Sequence, residues 1–145
     1  MTEIKMKILL PVDGTPASLH AVRHALALRA QGLQAEFVLV NVQVPPSLYE
    51  VVVAHDPVVL DDVRRAAGAD LLAPAEALLQ AAAAEWESEV AGGDPGHVLV
   101  DLIDNYGCNA VVLGASGNKI GAVPLALLQH SPVPVTVVRE PPADR

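Results

Sequence analysis

The sequence predicts an α/β protein: a five-stranded parallel sheet with helices on both faces. Three observations carry this. Short apolar runs alternate along the chain with longer segments of helical periodicity. Two of the helical segments open on a polar residue followed by proline, Thr15-Pro16 and Asp94-Pro95, the signature of an N-cap with proline in the first helical position. Two of the strand-like runs stop abruptly at glycine-bearing turns, Pro11-Val-Asp-Gly14 and Leu113-Gly114, as strands of a parallel sheet do before a crossover.

The elements follow in order. Lys7–Val12 is apolar and suits a central strand buried on both faces. A helix runs from Pro16 to about Gln31, with Leu19, Val22, Ala25 and Leu26 as its inward stripe, and Gly32 closes it. Glu36–Val42 is the second strand. Pro45-Pro46 then opens a connection to Pro57, in which Tyr49–Ala54 reads either as a short extended piece or as a loop. Asp61–Arg65 is helical, and Asp70–Ala84 is an Ala/Leu helix whose main section opens at Pro74. Trp86–Val90 alternates apolar and charged residues and suits a half-exposed edge strand. Gly92-Gly93 turns the chain into a helix that reaches about Asn105, with Val98, Leu102 and Tyr106 inward and Gly107 at its end. Ala110–Leu113 is the fourth strand, Val123–Gln129 a short helix, and Val133–Val138 the last strand before a polar tail.

At 145 residues the chain suits a single domain over 1–145 with a full hydrophobic core. Hydrophobic residues at 52% against 18% charged exclude a disordered chain, and 3% aromatics leave the core to Ala, Val, Leu and Ile. A net charge of −8 argues against nucleic acid and anionic membrane surfaces, both of which call for clustered Lys and Arg. The single cysteine, Cys108, makes no internal disulfide and belongs to no metal-type cluster. Met1–Lys7 leads straight into a strand rather than a signal peptide, and no apolar run nears the roughly 20 residues of a membrane span. A cytoplasmic location is the expectation.

The chemistry concentrates between Gly114 and Pro124, Gly-Ala-Ser-Gly-Asn-Lys-Ile-Gly-Ala-Val-Pro. A glycine turn between a strand and a helix exposes backbone N–H groups that can cradle a phosphate. It is not a Walker A loop, because the glycine and lysine order differs and no Ser or Thr follows Lys119. Ligands of parallel sheets sit at the carboxyl ends of strands, where strand order reverses, and Asp13 and Gly114 both lie at such ends. Asp13 reads equally as a ligand contact and as a carboxylate favouring the start of the first helix. His20 and His24 have the spacing of a two-histidine metal site but no third ligand, so a solvated polar face is the better reading and no metal site is expected. Cys108 reads as an inert thiol and Trp86 as a sheet or interface residue.

Five segments stand in the order of a known pattern: Lys7-Ile-Leu-Leu-Pro-Val-Asp-Gly-Thr-Pro-Ala-Ser18, Val38-Leu-Val-Asn-Val42, Gly93-Asp-Pro95, Asn109-Ala-Val-Val-Leu-Gly114 and His130-Ser-Pro-Val-Pro-Val135. Over nearly its whole length the chain resembles the universal stress protein family. The resemblance implies a Rossmann-like, adenine-nucleotide alpha-hydrolase-like fold, and a homodimer formed through the last strand, Val133–Val138, unless the chain's own tail covers that edge. In ATP-binding relatives the residues matching Asp13 and Val42 hold the nucleoside end, and those matching Gly114 and Gly117 admit the ribose and phosphates. The implied site set here is Pro11, Val12, Asp13, Gly14, Val42, Gly114, Ser116, Gly117, Lys119, Gly121, Ala122 and Val123.

The chain departs from the pattern within that set. Only Asn118-Lys119-Ile120 separates Gly117 from Gly121, where ATP-binding relatives have a longer spacer. Ala122 replaces the Ser or Thr that follows the last glycine, and Pro124 stands at a later hydroxyl position. A hydrogen bond to a charged group is worth roughly 1.5–3 kcal/mol, so losing two or three such donors weakens phosphate binding on the order of a thousandfold. The first expectation is therefore a non-enzymatic, dimeric stress-response module with a degenerate nucleotide site, acting through a partner or a small ligand. The second is an ATP-binding switch in which Lys119 and backbone amides replace the hydroxyls. The third is a slow nucleotide hydrolase. ATP or another adenine nucleotide is the implied ligand in all but the partner-only case.

Overall fold

The computed structural model of the chain describes residues 4–44 and 56–140. Nine elements follow one another among these residues: β1 (Met6–Pro11), α1 (Pro16–Ala30), β2 (Ala35–Gln43), α2 (Pro57–Ala81), β3 (Trp86–Gly92), α3 (Pro95–Tyr106), β4 (Ala110–Ala115), α4 (Ala122–His130) and β5 (Val135–Arg139). The strands form one parallel sheet in the order β3-β2-β1-β4-β5. The chain builds outward from β1 to β3, then crosses back and adds β4 and β5 on the other side. Strand order thus reverses between β1 and β4, which opens a crevice at their carboxyl ends.

Strand alternation sorts the core into two layers. Ile8, Leu10, Phe37 and Leu39 pack with Val22, Ala25, Leu72 and Leu79 of α1 and α2. Leu9, Val38, Val40 and Val111 pack with Leu99, Ile103 and Leu127 of α3 and α4. β1 and β2 are buried on both faces, as their unbroken apolar runs require. β3 is an edge strand whose Glu87 and Glu89 alternate with partly buried Trp86 and Val90.

Helix ends match the capping residues. The Thr15 hydroxyl accepts the Ser18 amide, and the Asp94 carboxylate accepts the His97 amide. Gly32 and Gly107 close α1 and α3 with amide bonds back to Arg29 and Asp104. α2 ends differently. Ala83 takes the left-handed position usually given to glycine (φ +54°), the Ala84 amide donates to Leu79, and the Arg29 guanidinium donates to the carbonyls of Ala82 (3.0 Å) and Ala83 (3.2 Å).

Several elements differ from the sequence reading. The buried face of α1 is Ala17, Ser18, Ala21, Val22 and Ala25, with Leu19 and Leu26 at its partly buried flank. α1 approaches β4 too closely for leucine in the centre of the contact. α2 is one continuous helix through Pro74, because Leu72, Ala75 and Leu79 are buried on both sides of it while Pro74 itself faces out. The face of α3 is Leu99, Leu102 and Ile103, and Val98 and Tyr106 lie at its margin, where the Tyr106 hydroxyl donates to Glu89 (2.6 Å). β5 starts at Val135 rather than Val133, since the Ser131 hydroxyl ties off a turn on the Val133 amide and carbonyl. The Tyr49–Ala54 segment lies outside the described residues.

Candidate functional site

The carboxyl edge of the sheet is built by three strand ends. Beyond β1 the Val12 amide still donates to Val40 (2.8 Å), then Gly14 turns the chain at φ +85° against Leu71 of α2. Inside this turn Asp13 Oδ1 accepts from the Thr15 hydroxyl (2.6 Å) and the Thr15 amide (3.0 Å). Burial opposes ionisation of Asp13, but the bonds from Thr15 and Ser18 prevail and hold its pKa below the ordinary aspartate value. The residue is a carboxylate at neutral pH. Asp13 shapes the entry to α1 and also faces the crevice.

At the end of β2, Asn41 is buried, with 3% exposure. Its Nδ2 donates to the Val12 carbonyl (2.8 Å), and its Oδ1 accepts from Gln43 Nε2 (2.6 Å). This amide ties the ends of β1 and β2 together and satisfies a polar group that burial would otherwise penalise. At the end of β4, Gly114 lies against the first turn of α1. A Cβ there would collide with the Ala17 backbone carbonyl, so the fold itself demands glycine at this position.

Between these ends lies a cavity of about 130 Å³. The first turns of α3 and α4 form its far wall, through Pro95 and Leu99, and Val123 and Pro124. Val40, Val42 and Leu113 make it largely apolar. A cavity of about 150 Å³ accepts one benzene-sized ring, so this one suits a single planar group, with the remainder of any ligand on the rim.

Of the residues named from sequence, Pro11, Val12, Asp13, Val42, Gly114 and Val123 come together as lining. Gly14, Ser116, Gly117, Lys119, Gly121 and Ala122 do not line it. Gly14 is spent on the turn, and 116–122 is an exposed rim beyond the crevice. Gly117 there has φ +69°, with open space where a Cβ would be. Its carbonyl accepts from Arg139 Nη1 (3.4 Å). α4 has Gly121 as N-cap with no side-chain cap, and Pro124 puts a buried ring where a third free N–H would stand.

Sequence reasoning missed Ser18, Val40, Asn41, Pro95, Leu99 and Leu113 as lining, and read Pro124, which also lines the cavity, only as a lost hydroxyl position. Asn41 carried a usable signal, as an amide inside the apolar run Val38–Val42. Elsewhere, no group of three His, Cys, Asp or Glu side chains among the described residues is placed to hold a metal. Cys108 is buried, and burial pushes its thiol pKa up. Trp86 packs as a sheet residue against the α1–α2 layer. Among the described residues, no helix is long and apolar enough to cross a membrane.

The fold is similar to several solved structures. One is the universal stress protein UspA from Lactobacillus plantarum (23% identity, TM-score 0.75, covering 95% of this chain and 100% of that one). Another is a universal stress protein in complex with cAMP (24% identity, TM-score 0.72, covering 94% and 98%). A third is a universal stress protein family protein from Arabidopsis thaliana with AMP bound (17% identity, TM-score 0.69, covering 96% and 97%). No curated protein matches the chain significantly. The description of the universal stress protein family itself matches residues 6–139, from the first residue of β1 to the last of β5, and the chain belongs to that family.

Proposed function

We propose that this chain is a single-domain, non-enzymatic stress-response module that binds an adenine nucleoside or its monophosphate at the carboxyl-edge cavity. The observation that carries the reading is the cavity itself. It lies at the reversal of strand order, has apolar walls sized for one ring, and places an ionised Asp13 beside Gly114 at its mouth. One of the two fused rings of the base enters the apolar part, and the ribose lies toward Asp13. AMP and cAMP, the ligands of two of the similar structures, are both monophosphates. A rim as short as 116–122 suits one phosphate better than three.

Binding rather than turnover is supported by the state of the polar lining groups. Asp13, Ser18 and Asn41 are each hydrogen-bonded within the fold. None of them is paired with a base that would activate a nucleophile. The outer edge of β5, with Val135, Val137 and Val138 only partly buried, is the surface for pairing with a second copy.

A second reading is favoured by Gly114 and Asp13 together. Ala17 and Thr15 account for them without a ligand, as in a module that acts only through a protein partner. Calorimetry on protein stripped of ligand by unfolding and refolding separates the two, using adenosine, AMP and ATP at near-millimolar concentration. The expected result is saturable heat with adenosine and AMP, and weaker binding of ATP. No heat with any of the three overturns the ligand reading in favour of the partner module.

A further inference from the structure

The rim carries a cation that sequence comparison did not single out. In a chain of net charge −8, residues 105–139 contain no aspartate or glutamate, yet they contain Lys119, His130 and Arg139. The β4–β5 register sets Arg139 beside Ala115, the last residue before the glycine rim. The Glu140 amide continues that pairing onto the Ala115 carbonyl (3.2 Å). Arg139 therefore stands where β4 runs out into 116–121, and its guanidinium extends over the turn to the Gly117 carbonyl.

That contact is a weak resting place. At 3.4 Å it is long for an N–H···O bond, whose usual length is roughly 2.9–3.0 Å, and the acceptor is neutral. Arg139 is exposed and forms no ion pair with any described carboxylate. A guanidinium fork matches two oxygens of a phosphate far better than one carbonyl. Meanwhile the first turn of α4 lacks two donors that would otherwise meet an anion: Ala122 has no hydroxyl and Pro124 no N–H.

We infer that Arg139 is the residue that binds the phosphate of the ligand, giving up the Gly117 carbonyl for two phosphate oxygens. The adenine part of that ligand rests on the function proposed above; the phosphate contact does not. Arg139 supplies from the last strand an anion contact that Ala122 and Pro124 do not, and Lys119 adds a second charge from the exposed rim.

The test compares the unaltered chain with Arg139→Gln and Arg139→Lys, after circular dichroism and urea melts establish that all three are folded. Adenosine and AMP are titrated by calorimetry. Inorganic phosphate is titrated at low ionic strength, with the Gly117 amide and Arg139 Nε–H resonances as readout. Arg139→Gln is expected to weaken AMP about tenfold while leaving adenosine unchanged, and Arg139→Lys to recover part of the loss. Phosphate is expected to move both resonances in the unaltered chain, and to leave the Gly117 amide unmoved in Arg139→Gln. Equal losses for adenosine and AMP would show Arg139 to be a brace for the loop and overturn the inference. So would AMP affinity unchanged in Arg139→Gln, or phosphate that moves neither resonance in the unaltered chain. If neither adenosine nor AMP binds, the adenine reading falls, and the phosphate titration alone decides the role of Arg139.

Discussion

Gly114 and the Ala17 carbonyl are in such close approach that no side chain fits between them. This contact sets how near α1 lies to β4, and so how deep the crevice beside Asp13 becomes. Gly114→Ala must push the helix off the sheet or distort the strand end. The expected cost is about 3 kcal/mol, at the upper end for overpacking because the obstacle is backbone rather than a flexible side chain. A urea melt measures it. A variant as stable as the parent would mean that α1 and β4 are less tightly apposed than described.

The same contact explains why the face of α1 was hard to read. Periodicity highlights leucines, so Leu19 and Leu26 stood out beside Val22 and Ala25, whereas Ala17 and Ala21 of the packed centre did not. Alanine is weakly informative alone; at Ala17 it is the proximity of Gly114 across the interface that selects it. Pro74 misled in the opposite way. Proline argues locally for a helix start, but burial of Leu72, Ala75 and Leu79 outweighs one missing hydrogen bond. β1 and β2 were legible because a run buried on both faces needs no partner to be recognised. Asp13 and Gly114 were legible as strand ends from short motifs, and Val42 only through the family resemblance. Leu99 and Pro95 were not, since an apolar wall contributed by a distant helix looks like ordinary core. Nor does the composition of 116–122 say whether it folds over the cavity or beyond it.

A second prediction concerns the end of α2. Ala83 holds a left-handed conformation that costs an L-residue about 1–2 kcal/mol, and the residue is exposed. Ala83→Gly is expected to stabilise the protein by about 1 kcal/mol, with some of the relieved strain offset by the entropy of glycine in the unfolded chain. Arg29→Met, which keeps the aliphatic stem but removes both donors to Ala82 and Ala83, is expected to lose about 1–2 kcal/mol. Thermal melts of both variants check the pair. If Ala83→Gly lowers the melting temperature, the αL turn is not the strained element described.

Asp13 makes a prediction about pH. Its folded pKa lies below the 3.8 of an ordinary aspartate, so the folded state favours the ionised form. The stability this supplies is complete above the unfolded pKa and is lost as pH falls through the lower folded value. Asp13→Asn keeps an acceptor for the Thr15 hydroxyl and amide but cannot titrate. Its stability is therefore expected to fall less steeply than that of the parent below about pH 4. Parallel urea melts from neutral pH to pH 3 measure the difference in slope. Identical slopes would mean that Asp13 has the same pKa folded and unfolded. At neutral pH the same variant reads the ligand role: on the proposed function, adenosine affinity falls about tenfold as the ribose loses a charged acceptor.

Pro124 decides whether the rim is limited by its donors or by its length. It occupies the third position of α4, where an ordinary residue would offer a free N–H toward the mouth of the cavity. Pro124→Thr restores that N–H and adds a hydroxyl, and Ala122→Ser restores the second hydroxyl. Each new donor to a phosphate oxygen is worth roughly 1.5–3 kcal/mol if it is aligned, so one alone is enough for a tenfold gain. The double variant is expected to bind AMP at least tenfold more tightly than the parent by calorimetry, with adenosine as the control that must not change. ATP is expected to gain no more than AMP does, because Asn118-Lys119-Ile120 stays too short to cover further phosphates. A large gain for ATP alone would show that the missing donors, and not the short rim, had excluded the triphosphate. No gain for either nucleotide would show that the rim does not approach the phosphate at all. The anion would then depend on Arg139 alone, and the combined Pro124→Thr and Arg139→Gln variant would bind AMP no better than adenosine.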